Sequence, residues 1–428
     1  MKKSEKIINS LVLYSNLKEN TLIKLIIKAE NGEKGAFSKI ISFLFEKAEE
    51  NALRGNILKN YIIHIMLRDR NMFTLLCENN EDVKNTSVYK AAVNDIEKIK
   101  EIANMDISDL SEGEKRTAEL VKDYIPVKNK KNITHKQYDH WKEIYLMGDK
   151  IFDIENIISF HNKNGCGDVS VFGFFRYDSE NKKLIGVTNP DNIKFSDLIG
   201  YKNQIDTLKD NTLSFIKGYA SNNVLLVGAR GTGKSSSVKA LVNEYFDIGL
   251  RILEITKEQI VNLPDILNIL RQRGRKFIIF IDDLSFDENE IGYKYMKSLI
   301  EGGTEGKPEN VLFYATSNRR HIIQEKWKDR GETITESRDV HTMDNMNEKL
   351  SLSDRFGITI TYQKPTPDEY INIVKGILKN MNFEMDEETI KKEAMKWELR
   401  QKGMSGRTAK QFVNNIIWKI KKEKEYEQ

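Results

Sequence analysis

The chain has 428 residues, of which 39% are hydrophobic and 31% charged. This composition excludes disordered and fibrous proteins and predicts two or three globular domains. Lys and Arg number 68 against 64 Asp and Glu, so the formal net charge of +4 argues against bulk attraction to nucleic acid or to a membrane. Cys77 and Cys166 are too few for a disulfide framework or a zinc site and are expected to be packed thiols. No apolar run approaches the ~20 residues of a membrane span, and we expect a cytoplasmic protein.

The N-terminal part of the chain, residues 1–125, carries apolar residues at helical spacing, as in Phe37, Ile40 and Leu44. This spacing predicts a helical domain, which we interpret as the part that recognises a partner or client protein. The segment that follows opens with Pro126 and is polar and basic, which is typical of a connector. We therefore predict a linker with a β-hairpin over residues 126–190.

The hairpin is predicted from the segment VSVFGFFRYD, residues 169–178, in which hydrophobic residues alternate with period two. A polar turn and a short apolar run at 184–187 would complete it. Its aromatic residues could stack nucleic-acid bases, but Arg176 is the one cation that interleaves them. Packing in a core is the favoured interpretation.

From about residue 191 onward, strands and helices alternate along the chain, which predicts a parallel sheet covered by helices on both faces. Thr366, Pro367 and Glu369 form the signature of a capped helix start, and three apolar helical segments follow. We predict an α/β subdomain over residues 191–365 and a helical lid subdomain over residues 366–428. The strands are expected at 224–227, 252–255, 277–281 and 311–316.

The segment GARGTGKS, Gly228 to Ser235, is a complete phosphate-loop motif, placed directly after an apolar strand and at the start of a helix. Its glycines allow successive backbone N–H groups to point at phosphate oxygens, and the helix N-terminus adds partial positive charge. Lys234 is expected to reach the β- and γ-phosphates, and Ser235 to bind Mg²⁺. The predicted nucleotide contacts are Gly228, Ala229, Arg230, Gly231, Thr232, Gly233, Lys234, Ser235 and Ser236.

Two acidic residues, Asp282 and Asp283, follow the apolar strand FIIFI. In parallel α/β sheets the ligand lies outside the carboxyl ends of the strands, so both carboxylates are expected beside the phosphates. We interpret Asp282 as the partner of Mg²⁺, directly or through water. Asp283 is the candidate that orients the attacking water.

Three further polar residues stand where they could contact a bound triphosphate. Asn318 ends a strand and could contact the γ-phosphate or its nucleophilic water, or could be a loop cap. Arg355 is an exposed guanidinium that could serve the γ-phosphate of a neighbouring subunit. Arg407 stands in the first turn of the last helix, after a Ser405 cap, where the dipole disfavours a cation, which suggests an anionic partner.

Together these features resemble an AAA+ ATPase module over residues 191–428. The segments NNVLLVGARGTGKSSSVKALVNEY, FIIFIDDLSF, YATSNRRH and KLSLSDRFG resemble a bacterial AAA+ family known only as a domain of unknown function. The resemblance implies that ATP and Mg²⁺ bind over the 191–365 subdomain. It implies these assignments: Walker A at Gly228 to Ser235, Walker B at Asp282 with Asp283, sensor 1 at Asn318, an arginine finger at Arg355, sensor 2 at Arg407, and adenine contacts near Ile199 and Gly200.

One position departs from the AAA+ pattern. Asp283 stands where most AAA+ modules carry a glutamate, whose side chain is one methylene longer. A shift of about 1 Å in the placement of the attacking water can cost ~10²-fold in rate, which makes slow turnover plausible. The chain has no N-K-x-D segment of the kind that recognises guanine, so ATP is favoured over GTP.

The leading hypothesis is an ATPase that binds and hydrolyses Mg-ATP at the subunit interface of a homo-oligomer and drives a conformational change on a partner. The alternative is a slow ATP-gated switch or loader that acts on nucleic acid or on a nucleic-acid-bound complex. Local hints of nucleic acid are Arg319, Arg320 and the lysines of 128–136, for which a solvated surface is favoured. His321 beside them is interpreted as polar surface.

Overall fold

The computed structural model describes residues 2–110, 115–127, 144–285, 296, 306–318, 355–401 and 403–426. They form two compact units. The first comprises Met1–Phe172, Gly186–Pro190 and Gln272–Arg275, and the second comprises Gly173–Ile185, Asp191–Arg271 and Lys276–Gln428. Within the described part of the chain, every helix is too short or too polar to span a bilayer.

The first unit is helical. The apolar residues spaced along its third helix, Phe37, Ile40 and Leu44 among them, are buried in a common core, as their period predicts. Side chains such as Asn56 and Thr86 cap helices by accepting hydrogen bonds from backbone N–H groups of the first turn. The helices are α1 Lys3–Asn9, α2 Thr21–Glu30, α3 Ala36–Asn51, α4 Ile57–Arg68, α5 Met72–Glu78, α6 Ser87–Ala103, α7 Lys115–Lys122 and α8 Ile154–Asn164.

A buried charged cluster surrounds Glu78, the last residue of α5, in the first unit. One carboxylate oxygen accepts from Arg273 Nε at 2.9 Å and from the Gly274 N–H at 3.0 Å. The other accepts from Arg273 Nη2 at 2.7 Å and from the Cys166 N–H at 2.9 Å. Burial alone would raise the pKa of Glu78, but the Arg273 charge and the hydrogen bonds outweigh it, so the pKa lies below its usual value. Glu78 is therefore a carboxylate that depends on a buried cation.

The two cysteines, Cys77 and Cys166, are both buried and carry free thiols, as predicted. Burial raises the pKa of each thiol to about 12. Both are therefore protonated, unreactive groups in the packing of the first unit.

The second unit is built on a seven-stranded sheet of order β2-β1-β4-β5-β6-β3-β7, in which all strands but β2 pair in parallel. Every residue of β6 is buried, as expected for a parallel strand covered on both faces. The order places β6 between β3 and β5. The strands are β1 Phe174–Asp178, β2 Lys183–Gly186, β3 Val224–Gly228, β4 Leu250–Ile255, β5 Lys276–Ile281, β6 Val311–Ser317 and β7 Ile358–Tyr362.

The hairpin segment differs in detail from its prediction. Strand β1 begins at Phe174 rather than at residue 169, because Gly167–Ser170 form a 3-10 turn that begins with Gly167 at a φ of +62°. The hairpin is also not separate from the α/β sheet, since β1 pairs in parallel with β4, with Phe174 opposite Ile252. A period of two indicates a strand but not its partner, so this pairing could not be read from the sequence.

Six helices of the second unit are described: α9 Lys202–Ile216, α10 Lys234–Tyr245, α11 Leu263–Arg271, α12 Pro367–Asn380, α13 Glu387–Gln401 and α14 Gly406–Tyr426. Helix α12 begins with the predicted capping box. The Thr366 hydroxyl accepts from the Glu369 N–H at 3.3 Å, and the Glu369 carboxylate accepts from the Thr366 N–H at 2.8 Å. The last three helices pack around their own small core.

These observations confirm the predicted α/β fold class: a mostly parallel sheet with a strand–loop–helix at the predicted phosphate loop, a C-terminal group of helices and a helical N-terminal region. Several predictions fall outside the described residues. They concern Arg319, Arg320 and His321, the lysines of 128–136, and the helix that the spacing of Tyr293 and Ile300 predicts between the strands at 277–281 and 311–316.

Candidate nucleotide site

A cleft of about 1040 Å³ opens where β3, β5 and β6 end, and it extends to the lid helices. One end is polar and the other contains several apolar side chains. The polar end is lined by Arg230, Gly231, Thr232, Gly233, Lys234, Ser235, Ser236, Asp282, Asp283, Thr316 and Asn318. It therefore brings together the residues of the predicted phosphate loop and the acids that follow β5.

The loop between β3 and α10 has the backbone conformation that its glycines predict. Gly231 and Gly233 have φ values of +78° and +93°, in the left-handed region where a side chain is disfavoured. Gly228 packs so closely on Tyr362 that an added Cβ would lie 2.0 Å from the Tyr362 carbonyl oxygen. The loop ends at Lys234, where α10 begins with its first backbone N–H groups free of intrahelical partners.

The ammonium group of Lys234 lies at the base of this loop, and the residue is 5% exposed. It donates to the carbonyl oxygens of Gly228 and Ala229, both at 2.8 Å, and to Asn318 Oδ1 at 3.1 Å. Burial lowers the pKa of Lys234, and the charges of Asp282 and Asp283 partly oppose that shift. All three acceptors are neutral, and an anionic phosphate oxygen would be a stronger partner for this cation.

The carboxylate of Asp282 is held by hydroxyl groups from two different elements. Ser235 Oγ, on α10, donates to Asp282 Oδ1 at 2.6 Å, and Thr316 Oγ1, on β6, donates to the same oxygen at 2.5 Å. The two residues predicted to hold Mg²⁺, Ser235 and Asp282, are therefore in direct contact. Thr316, which was not predicted as a site residue, shares this contact with Asp282.

Asp283 adopts a left-handed backbone conformation, with a φ of +53°. Its N–H donates to Thr316 Oγ1 at 2.9 Å, and its Oδ1 accepts from Asn318 Nδ2 at 2.5 Å. Arg230 lies 3.9 Å from the other carboxylate oxygen, but both side chains are more than half exposed, so this ion pair adds little. Asn318 therefore contacts both Lys234 and Asp283, a role that a simple loop cap would not have.

The donor groups at Ser235 and Asp282 fit a magnesium ion. A hydroxyl and a carboxylate are hard oxygen ligands, and Mg²⁺ is usually bound by one or two carboxylates together with substrate phosphates. Among the described residues, no group of three or more His, Cys, Asp or Glu is placed to hold a metal by itself. The donor set is therefore suited to a Mg²⁺ that arrives with a phosphate ligand.

The lid closes the cleft from the other side through the start of α14. The Arg407 N–H donates to the Gly231 carbonyl at 3.2 Å, and a Cβ on Gly231 would lie 2.9 Å from Ser405 Oγ. Ser405 caps α14, as predicted, by accepting from the Thr408 N–H at 3.2 Å. Arg407 lines the cleft, as do Lys410 and Asn414 one and two turns later.

Lys410 and Asn414 were not predicted as site residues. The signal that could have found them is their spacing of three and seven residues from Arg407, which places all three on one face of a helix. Both residues are exposed polar groups on an amphipathic helix, and such residues usually face solvent.

The less polar end of the cleft includes Ile199, together with Ile373, Ile377 and Met381 of the lid. Ile199 packs against Gly376, where an added Cβ would lie 2.4 Å from its side chain. Gly200 lies beside Ile199 but faces a neighbouring pocket of about 310 Å³. Four predicted site residues do not line the main cleft, namely Gly200, Gly228, Ala229 and Arg355. Gly228 and Ala229 contact Lys234 through their carbonyl groups. Arg355 lies just before β7 and is partly buried, whereas an exposed side chain was expected.

Comparison with known proteins identifies the family. The model of a family described as proteins of unknown function, DUF815, matches residues 170–420, which is more than half of the chain. The chain belongs to the DUF815 family. No curated protein matches this DUF815 protein in sequence.

Solved structures of RuvB from Thermotoga maritima match about half of this chain in fold. A proline-to-glycine mutant of RuvB is 17% identical with a TM-score of 0.34, and the match covers 51% of this chain and 62% of that one. The structure titled RuvB Holliday junction branch migration motor is 15% identical with a TM-score of 0.32, covering 52% of this chain and 71% of that one. This chain spans less than two thirds of the first of these. At such identities the likeness concerns the fold alone.

Proposed function

We propose that this DUF815 protein binds Mg-ATP in the cleft and hydrolyses it. The observation that carries the proposal is the set of contacts at the polar end. The Lys234 ammonium, the Ser235 and Asp282 pair, and the Asp283 and Asn318 pair meet at one place on three adjacent strand ends. A cation for phosphate, a hard oxygen pair for metal and an acid for water are the parts that phosphoryl transfer to water requires. The apolar side chains at the other end of the cleft suit a purine base.

Each residue then has a defined role. Lys234 exchanges its carbonyl partners for β- and γ-phosphate oxygens, and the N–H groups of the loop and of α10 donate to the phosphates. Ser235 and Asp282 would hold Mg²⁺, which supplies neutralisation of the charge that develops on the phosphates. Asp283 orients the attacking water, with Asn318 beside it. Arg407 adds positive charge from the lid, so closure of the lid is coupled to the presence of phosphate.

We further propose that the protein works as a homo-oligomer, with Arg355 completing the site of a neighbouring subunit. Its support is the position of Arg355, which does not line the cleft of its own chain. The helical region of residues 1–125 is then available to bind a protein client. Arg355→Ala should leave ATP binding intact, abolish turnover and remove the dependence of specific activity on protein concentration. Unchanged turnover would refute the role in trans.

The short side chain of Asp283 favours slow hydrolysis, as in an ATP-gated switch. Its carboxylate is already engaged by the Asn318 amide at 2.5 Å and has no extra methylene with which to reach further. Comparison of single-turnover and steady-state rates tests this, since many turnovers per minute would contradict a switch. Action on nucleic acid stays a prediction, and salt-dependent DNA binding is its test.

The central experiment measures nucleotide affinity by titration with a fluorescent ATP analogue. Lys234→Ala removes a charged donor and should weaken binding by roughly 10-fold or more, since hydrogen bonds to charged groups contribute about 1.5–3 kcal/mol. Lys239→Ala is the matched control, because Lys239 lies on the same helix but its ammonium faces Glu254, 3.7 Å away, outside the cleft. Failure of the wild type to bind adenine nucleotides, or full binding by Lys234→Ala, would refute the proposal.

A further experiment addresses the client. Asp283→Asn should bind ATP but stall before hydrolysis, so that the complex with a partner accumulates. Capture of the same protein by the ATP-loaded variant, and not by Lys234→Ala, would identify the client.

A further inference from the structure

Thr316 stands out among the residues of β6 that line the cleft. It is 2% exposed in a strand whose other members are almost all apolar. Both hydrogen bonds of its hydroxyl go to the acid pair: it donates to Asp282 Oδ1 at 2.5 Å and accepts from the Asp283 N–H at 2.9 Å. A single oxygen atom therefore connects the two residues that follow β5.

The bond to Asp282 completes a pair of constraints on one carboxylate oxygen. Ser235 approaches Asp282 Oδ1 from α10 at 2.6 Å, and Thr316 approaches it from β6. With two donors fixed on Oδ1, rotation of the carboxylate is restricted and Oδ2 is kept for another ligand. Hydrogen bonds of this kind orient metal ligands and tune their affinity.

The bond from the Asp283 N–H fixes the direction of the second acid. The left-handed conformation of Asp283, at a φ of +53°, turns the chain sharply at the end of β5. Thr316 satisfies the N–H at this turn, while Asn318, which directly follows the end of β6, donates to the Asp283 carboxylate. The backbone of Asp283 is thus held from within β6, and its side chain from the residue that directly follows β6.

We propose that Thr316 is a positioning residue of this site, which sets the geometry of the Asp282 carboxylate toward Mg²⁺ and the direction of Asp283 toward the attacking water. This role rests on the proposed Mg-ATP function. Thr316 contacts two residues assigned to the chemistry and acts through them. Its hydroxyl, rather than its bulk, is the group that matters.

The test separates metal-dependent from metal-independent nucleotide binding. The fluorescent ATP analogue is titrated into each variant in EDTA and then at increasing Mg²⁺ concentration. Thr316→Val keeps the shape and removes the hydroxyl, and Thr316→Ser keeps the hydroxyl. Thr316→Ala against Thr316→Ser gives a second comparison, differing by one oxygen atom, should the valine variant fold poorly. Thr359→Val, on an exposed face of β7, is the matched control.

The expected result is a selective loss. Thr316→Val and Thr316→Ala bind the nucleotide in EDTA like the wild type. The Mg²⁺ concentration that gives half of the Mg²⁺-dependent change in nucleotide affinity rises roughly 10–100-fold, as for loss of other residues that orient metal ligands. The kcat of ATP hydrolysis falls, while KM stays unchanged. Thr316→Ser stays close to the wild type, and Thr359→Val is unchanged.

Two outcomes would overturn the role of Thr316 while leaving the ATPase proposal intact. One is a Mg²⁺ dependence in Thr316→Val and Thr316→Ala that matches the wild type. The other is an equal loss of affinity with and without Mg²⁺, which would show a purely structural role. A wild-type protein with no affinity for the nucleotide would instead refute the proposed function, and the role of Thr316 with it.

Discussion

Glu78→Gln is expected to destabilise the first unit strongly, because it leaves the Arg273 guanidinium buried without a counter-charge. Glu78 is fully buried and Arg273 is 6% exposed, so little water can reach either group. Removal of one partner from such a pair typically costs about 3–5 kcal/mol. The amide NH₂ of glutamine would also face two donors whichever way it is turned, since each carboxylate oxygen accepts two hydrogen bonds. Against the usual stability of about 5–15 kcal/mol, a fifth or more would be lost.

Calorimetry of the full chain measures this effect. For a unit of this size, a loss of about 3–5 kcal/mol corresponds to a fall of roughly 6–20 °C in the melting temperature of the transition in which the first unit unfolds. Glu19→Gln is the control, since it breaks an ion pair with Lys24 that is exposed to solvent, and it should leave the transition in place.

A double variant sharpens the reasoning. Glu78→Met with Arg273→Met removes both charges and should recover part of the loss, because replacing a buried pair by apolar residues is often neutral. Recovery should be incomplete, since the N–H groups of Gly274 and Cys166 would lose their acceptor at a cost of about 1–3 kcal/mol each. If Glu78→Gln melts with the wild type, the buried-charge argument is wrong.

Three further predictions concern the lid, the cleft and pH. Gly231→Ala should lower the free energy of unfolding by about 1–2 kcal/mol because Gly231 has a φ of +78°. It should also weaken nucleotide binding, because the added Cβ would push Ser405 away. Thermal melting and nucleotide titration measure the two effects, and an unchanged affinity would contradict the lid contact. Lys410→Ala should weaken ATP binding by up to about fivefold but leave adenosine binding unchanged, as measured by competition. Burial lowers the pKa of His64 to about 3 and of His161 to about 4, below the 6.5 of the unfolded chain, so the unfolded state takes up protons first as the pH falls from about 6.5. Each histidine should therefore lower the free energy of unfolding, measured with urea, by about 2 kcal/mol at pH 5 relative to pH 7. A free energy of unfolding that does not change between these pH values would contradict burial of the histidines in the neutral form.

The phosphate loop and the acids after β5 could be predicted because their signals are local. A glycine motif, an apolar strand and a helix start are contiguous in sequence, so Lys234 and Ser235 need no knowledge of distant partners. Asp282 required one step more, the rule that parallel strands present their carboxyl ends to the ligand. That rule also placed Asn318 in the cleft.

The residues that were missed depend on pairings that a sequence does not display. Thr316 lies in a buried strand, where threonine is an ordinary β-former, and its role appears only when β6 is known to lie beside β5. Ile377 and Met381 have the helical spacing of an apolar face, which predicts packing within the lid, and their place in the cleft follows from how the lid meets the loop. The buried Glu78 depends on partners about 90 and 195 residues away along the chain.

The position of β6 between β3 and β5 makes this strand the shared support of both halves of the cleft. Asn318, which directly follows β6, accepts a hydrogen bond from the Lys234 ammonium, and Thr316 within β6 donates one to the Asp282 carboxylate. A small slide of β6 along its neighbours would disturb both contacts at once. Damage to its packing, even far from the cleft, should therefore weaken nucleotide capture and turnover together, whereas damage to β3 or β5 alone can separate them.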